Sequence, residues 1–199
     1  MQKFLTTVSA AALGLAFVIS TPTLVASQSL AGSYLAGRSA SVNNDYALAA
    51  GYYAAALARD PSNVELMENA TLSYLALGEV KKAVPIGKAI LAAGQNSQGA
   101  RMAITAGLID DGNYAELAKQ EVQEGGISPW VDGLVKAWAL IGTDDVDGAL
   151  AQFDGISKDS GMEGIISFHK ALALATVGRY EDSEALFDGG SVGAAARTR

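Results

Sequence analysis

Five short polar breaks recur along the chain in near-constant register. Asn44-Asp45-Tyr46, Gly78-Glu79-Val80, Gly112-Asn113-Tyr114, Asp144-Asp145-Val146 and Gly178-Arg179-Tyr180 start 34, 34, 32 and 34 residues apart. Each is followed at the same offset by Ala49, Ala83, Leu117, Ala149 or Ser183. A fixed period of this length means one supersecondary unit repeated and stacked. It excludes a single closed core built from unrelated elements.

The stretches on either side of each break are of helical length. Apolar residues recur three and four apart in Leu30–Val42, Val64–Leu77, Gln98–Asp111, Trp130–Ile141 and Gly164–Val177. The same holds for Tyr46–Ala58, Val80–Ala93, Tyr114–Glu124, Val146–Ile156 and Tyr180–Phe187. That period is helical, Ala is the strongest helix former, and no stretch alternates as a strand would. The expectation is an all-α solenoid of about five helix–turn–helix units.

Local punctuation supports those boundaries. Ser62 and Glu65 have capping-box spacing, Asp60-Pro61 closes the first pair, and Ser128-Pro129 reads as an N-cap followed by Pro in the first turn. Pro85 falls inside an expected helix, where it should kink the helix or delay its regular part by a turn.

The first 27 residues have a different pattern. Lys3 precedes a short apolar run from Val8 to Ile19, the segment Ser20-Thr21-Pro22 breaks it, and Leu24-Val25-Ala26-Ser27 offers small residues for cleavage. This is the layout of a secretory signal, and the run is shorter than the roughly 20 residues a spanning helix needs. Cleavage is expected after Ala26 or Ser27, giving an exported, periplasmic product with no integral membrane segment. The net charge of -7 becomes -8 once Lys3 is removed. An acidic chain without clustered cations is a poor nucleic-acid partner. The absence of Cys excludes disulfides, thiolate nucleophiles and thiolate metal sites.

With these positions in view, the mature chain resembles the tetratricopeptide repeat family, in particular exported alphaproteobacterial members. The first unit carries the resemblance best, in Gly37, Ala49, Tyr53, Ala56 and Pro61. Tyr74, Gly78 and Ala83 carry it in the second unit, which departs at Thr71, Gly87, Ile90 and Gln95. The third keeps Leu108, Gly112 and Tyr114 but departs at Leu117, Glu121 and Glu124. Ala137, Leu140, Ala149 and Phe153 carry the fourth, and Ala171, Leu174, Gly178, Tyr180 and Phe187 the fifth. The resemblance implies a right-handed superhelix over residues 28–190, with the first helix of each pair lining a concave groove. Residues 191–199 are expected to be a disordered tail. The last unit has no solvating helix after it, which fits either a truncated array or a short chain that associates through an open apolar end.

No catalytic constellation stands out, and no cofactor or metal is expected. His169 is the single imidazole. Ser167, two residues away, faces elsewhere on a helix, so His169 reads as structural. Asp110-Asp111 and Asp144-Asp145 lack the ligand alternation of a calcium loop and read as turn acids.

The family's helix facing implies that Tyr34, Arg38, Glu65, Glu68, Leu72, Met102, Leu134, Trp138 and Phe168 approach the groove. Aromatics, Met and Arg are enriched in recognition surfaces. Leu72, Leu134, Trp138 and Phe168 can equally be packing residues between units. The carboxylate clamp of some family members needs basic and amide residues where this chain has Tyr34, Arg38, Glu68 and Leu72, so that activity does not carry over. The expected function is a non-enzymatic scaffold for a protein or peptide partner, in an envelope assembly. The rival readings are a self-assembling subunit and an accessory binder of cell-wall glycan.

Overall fold

A computed structural model describes residues 29–120, 126–160 and 162–188, the side chains of 157–160 and 188 excepted. The expected signal segment, 1–27, and the expected tail, 191–199, lie outside the described residues.

The described residues form helices and no strand: α1 (Leu30–Val42), α2 (Tyr46–Leu57), α3 (Val64–Ala76), α4 (Val80–Ala92), α5 (Gln98–Asp110), α6 (Tyr114–Lys119), α7 (Pro129–Gly142), α8 (Val146–Ser160), α9 (Glu163–Thr176) and α10 (Tyr180–Asp188). Each helix packs on the next in sequence, α3 also meets α5, and α7 also meets α9. Contacts confined to neighbours define a helical-repeat solenoid, the fold class the period predicts.

The five breaks are one structural device. Asn44, Gly78, Gly112, Asp144 and Gly178 all have left-handed backbone, with φ of 58°, 70°, 66°, 63° and 80°. The next residue's N–H returns to the last turn of the preceding helix. Asp45 reaches the Ala40 carbonyl at 2.9 Å, Glu79 that of Tyr74 at 2.9 Å, Asn113 that of Leu108 at 2.8 Å, Asp145 that of Leu140 at 3.0 Å and Arg179 that of Leu174 at 2.9 Å. These are Schellman caps, which satisfy carbonyls a helix end would otherwise leave unpaired. The second helix starts at once. The Asp45 carboxylate accepts from the Leu48 N–H at 3.1 Å, and Asp145 accepts from Gly148 at 3.0 Å. The carboxylates of Asp45 and Asp145 are therefore helix caps.

Within each unit the second helix presents a small or medium residue to the first. Ala49, Ala83, Leu117, Ala149 and Ser183 occupy this place and all are buried. The buried Ser183 hydroxyl donates to the Ala171 carbonyl at 2.8 Å. In the first unit a Cβ on Gly37 would lie 2.9 Å from the Tyr53 ring. The ring, itself 1% exposed, fills the space that glycine leaves. At Gly87, where the resemblance would put an aromatic, a Cβ would lie 3.0 Å from the Ala100 carbonyl oxygen. There α5 itself moves in to close the gap, and the fully buried Ile90 completes the packing.

Three local expectations are corrected, and of the two readings of Pro85 the delayed start is excluded. Asn63 caps α3, not the Ser62–Glu65 pair. Its side-chain oxygen accepts from the Leu66 N–H at 3.2 Å, and its amide donates to Asp60 at 2.9 Å. The residue directly before Val64 is the one with extended backbone, and a cap needs that geometry. Pro85 does not delay α4, which starts at Val80 and continues to Ala92. Helix α6 ends at Lys119, before the expected Glu124, because Gln120 is extended with ψ of 129°. Helix α8 runs on to Ser160, past Ile156. Ser128 and Pro129 open α7 as read, with the Ser128 hydroxyl accepting from the Val131 N–H at 3.4 Å.

Candidate functional site

The first helices α1, α3, α5, α7 and α9 supply the surface with most functional promise. Helix α3 lies beside α5 and α7 beside α9, and a Tyr34–Glu65 hydrogen bond joins α1 to α3. The residues expected to line a groove fall into three groups.

At the joint of the first two units, the half-buried Tyr34 donates its hydroxyl proton to the Glu65 carboxylate at 2.5 Å. This hydrogen bond, with burial and the carboxylate charge, holds the phenol above its usual pKa, while Arg38 opposes the shift. Tyr34, Arg38 and Glu65 thus form one polar cluster bridging α1 and α3. The Tyr34 ring also rests against Tyr53 at 6.5 Å between centroids.

At the second joint, Glu68 and Leu72 flank the start of α5. A Cβ on Gly99 would lie 3.1 Å from a Glu68 carboxylate oxygen and 3.2 Å from a Leu72 methyl. Leu72 is nevertheless 48% exposed, and Met102, one turn into α5, is 40% exposed.

The third group is at the joint of the last two units. Trp138 is half-buried, and its indole N–H donates to His169 Nδ1 at 3.1 Å. Its ring stands edge-on to Phe153 at 6.3 Å and to His169 at 6.2 Å. Phe168 is half-buried, 6.0 Å from His169. An Nδ1 that accepts carries no proton, so the imidazole is neutral with its proton on Nε2. Burial lowers the His169 pKa, which supports the same form.

Leu134 is corrected. It is buried in a cluster with Ala137, Phe153, Ile166 and Ala173, so it belongs to the core between α7, α8 and α9 and not to a groove. Trp138 packs against the same cluster. Its polar edge is committed to His169, which makes it a joint residue before it is a contact residue.

Other exposed apolar residues on the first helices escaped the sequence reading. Leu35, Ile109, Ile165 and Leu172 are 63%, 46%, 44% and 40% exposed. Counted from the left-handed turn residues, Leu172 holds the place of Trp138 and Leu72 in its own unit, and Ile165 that of Glu65. The repeat register was the available signal: applied to all five units, it names both positions.

Among the described residues, no group of three or more His, Asp or Glu side chains could hold a metal ion. No helix among them is long and apolar enough to cross a membrane. Residues 34–98 match the tetratricopeptide repeat family. That span covers the first two units, including the Tyr34 cluster and the Leu72 surface. No curated protein matches the chain.

Proposed function

We propose that the chain is an exported, non-enzymatic scaffold that holds a peptide segment or partner protein against its first helices, within an envelope assembly. Tetratricopeptide repeats generally mediate protein–protein interaction, and the match over residues 34–98 supports that class of activity. One observation carries the reading: the first helices keep large apolar side chains in solvent at Leu72, Met102, Ile109, Ile165 and Leu172. Scattered exposed apolars are ordinary. Here Leu72, Met102 and Ile109 sit on the adjoining helices α3 and α5, and Ile165 and Leu172 on α9 beside α7, where an amphipathic helix can lay its apolar face. Glu65 and Glu68 flank the same surface and favour a segment with basic residues at its edges.

The test is capture from a periplasmic extract, with in-cell crosslinking, by the full chain and by Leu72→Glu/Met102→Glu. Both residues are exposed, so the double variant should keep its helicity by circular dichroism. A partner held by the parent and lost from the variant supports the reading. Equal capture by both would remove the first helices as the binding surface. Mass spectrometry of the exported protein adds a check on location. A mature N-terminus at Ser27 or Gln28 is expected, and an uncleaved chain retained in the cytoplasm would overturn export.

A further inference from the structure

Charge is segregated among the second helices of the units. Helix α4 carries Lys81, Lys82 and Lys88 and no acid, and α10 carries Glu181, Asp182, Glu184 and Asp188 and no base. Among the described helices no other is as basic as α4 or as acidic as α10. The two belong to the second and fifth units, α4 packing on α3 and α5, and α10 on α9. The ion pairs of the described residues take up Lys82, with Glu79, and Asp182, with Arg179. Lys81, Lys88, Glu181 and Glu184 are exposed and belong to none of those pairs.

The basic helix also borders a groove. A cavity of about 230 Å³ opens between α4 and α5, with Val80, Val84, Pro85, Ile104 and Leu108 as its apolar lining. Lys81 and Lys88, two turns apart on α4, line it as well. Gly107 lets α5 come close: a Cβ there would lie 2.6 Å from Cγ2 of Val84. The two helices run antiparallel, so Asp110 and Asp111 close the Val80 end, and no acid lines the Lys88 end. On α10, Tyr180 is 66% exposed, the most exposed aromatic ring among the described residues. Glu184 shares its helix face one turn on, and Glu181 stands next to it. An aromatic ring flanked by carboxylates is the counterpart of an apolar groove flanked by ammonium groups. We propose that α10 of a second copy docks in this groove, with Tyr180 against the apolar lining and Glu181 and Glu184 meeting Lys81 and Lys88. Charge complementarity sets the register, and the aromatic anchor supplies the buried area. One helix on a two-helix groove is a small interface, so association belongs at about 10–100 µM. Each copy carries both faces, so the contact can repeat from copy to copy. It leaves Leu72 and Met102 free and is independent of partner binding there.

The experiment is sedimentation velocity of the full chain over about 5–200 µM, with circular dichroism to check the helicity of every variant. The parent should gain mass with concentration, and about 0.5 M NaCl should weaken that gain. Lys81→Glu/Lys88→Glu and Glu181→Lys/Glu184→Lys each set like charges face to face, so each should weaken association at least about tenfold. An equimolar mixture of the two should associate as the parent does, because each variant offers the charge the other now needs. Both remain net acidic, so bulk attraction does not mimic this rescue. Tyr180→Ser should weaken association about tenfold with the charges intact. All five positions are exposed, and association through any other surface would persist in every variant. A parent that stays monomeric at every concentration would overturn the proposal and leave the groove to another acidic segment. So would a Lys81→Glu/Lys88→Glu chain that associates like the parent, or a mixture no heavier than its components.

Discussion

At the scale of single residues, the Trp138–His169 contact has a calculable pH response. The folded state favours the neutral imidazole, because burial lowers the His169 pKa from its ordinary 6.5. Above that value both folded and unfolded chains carry neutral His, and its contribution to stability is constant. Below it the unfolded chain takes up a proton that the folded chain resists. Stability therefore falls as pH drops from about 6.5 through the folded-state pKa. Because the chain has one His, its imidazole protons can be followed by NMR without assignment. The expected midpoint lies below 6.5. Trp138→Phe removes the donor that favours the neutral form, so it should raise that midpoint and cost about 1 kcal/mol of stability. A midpoint at or above 6.5 in the parent would contradict the burial. An unmoved midpoint in the variant would show the indole bond to be energetically silent.

The same scale holds the closest approach in the first unit. A Cβ on Gly37 would lie 2.9 Å from Cε1 of Tyr53, a ring with nowhere to retreat. Gly37→Ala should therefore destabilise by about 1–3 kcal/mol, as overpacking does, despite the better helix propensity of Ala. Chemical denaturation reads this directly as a lowered midpoint at unchanged slope. An unaltered or raised midpoint would mean that α1 and α2 can separate at no cost.

At the scale of elements, the five Schellman turns set the register, and they differ in fitness for it. Gly78, Gly112 and Gly178 adopt the left-handed backbone without steric penalty. Asn44 tolerates it and accepts from the Tyr46 hydroxyl at 3.0 Å, whereas Asp144 holds φ of 63° with a Cβ in place. Asp144→Gly should stabilise by about 1 kcal/mol, a rise in Tm of about 2–4 °C for a chain of this length. Gly78→Ala should lower Tm by a similar amount. If both changes left Tm unmoved, the turns would not be the determinants of the helix ends.

Most of this element layer was legible in the sequence, for a physical reason. A left-handed residue between two helices needs Gly, Asn or Asp, and those residues stand out against apolar helical stretches. What was not legible depends on neighbours in space. Ser62 and Asn63 are equally good cap chemistries, and only the backbone at Asn63 decides between them. The end of α6 at Lys119 carries no Gly or Pro signal, since Gln120 is an ordinary helix residue in isolation. The site divides the same way. Helical period put Leu72 and Leu134 on corresponding stretches of first helices, but it could not say that α8 and α9 cover Leu134 while Leu72 stays in solvent.

At the scale of the whole molecule, the core is not one body. Ala40, Ala49, Tyr53, Ala56, Leu66 and Ala70 pack together in the first two units, and Met67, Ile90 and Ala100 carry that packing to α5. Leu134, Ala137, Phe153, Ile166 and Ala173 form a separate core in the last two. Helix α6, at 6 residues the shortest among the described residues, packs on both α5 and α7. Its buried anchor is Leu117, at 1% exposure. In a solenoid, stability is a sum of unit terms and nearest-neighbour interface terms. The weakest interface then decides whether the chain unfolds as one unit or two. Both Trp residues, Trp130 and Trp138, lie on α7, so tryptophan fluorescence reports the second core alone, while far-ultraviolet circular dichroism reports helices of both. The two transitions in urea are expected not to coincide, which is the standard departure from two-state behaviour. Leu117→Ala, which removes the anchor at a cost of about 2–5 kcal/mol, should widen the gap between them. Coincident curves in both proteins would mean that α6 couples the cores completely.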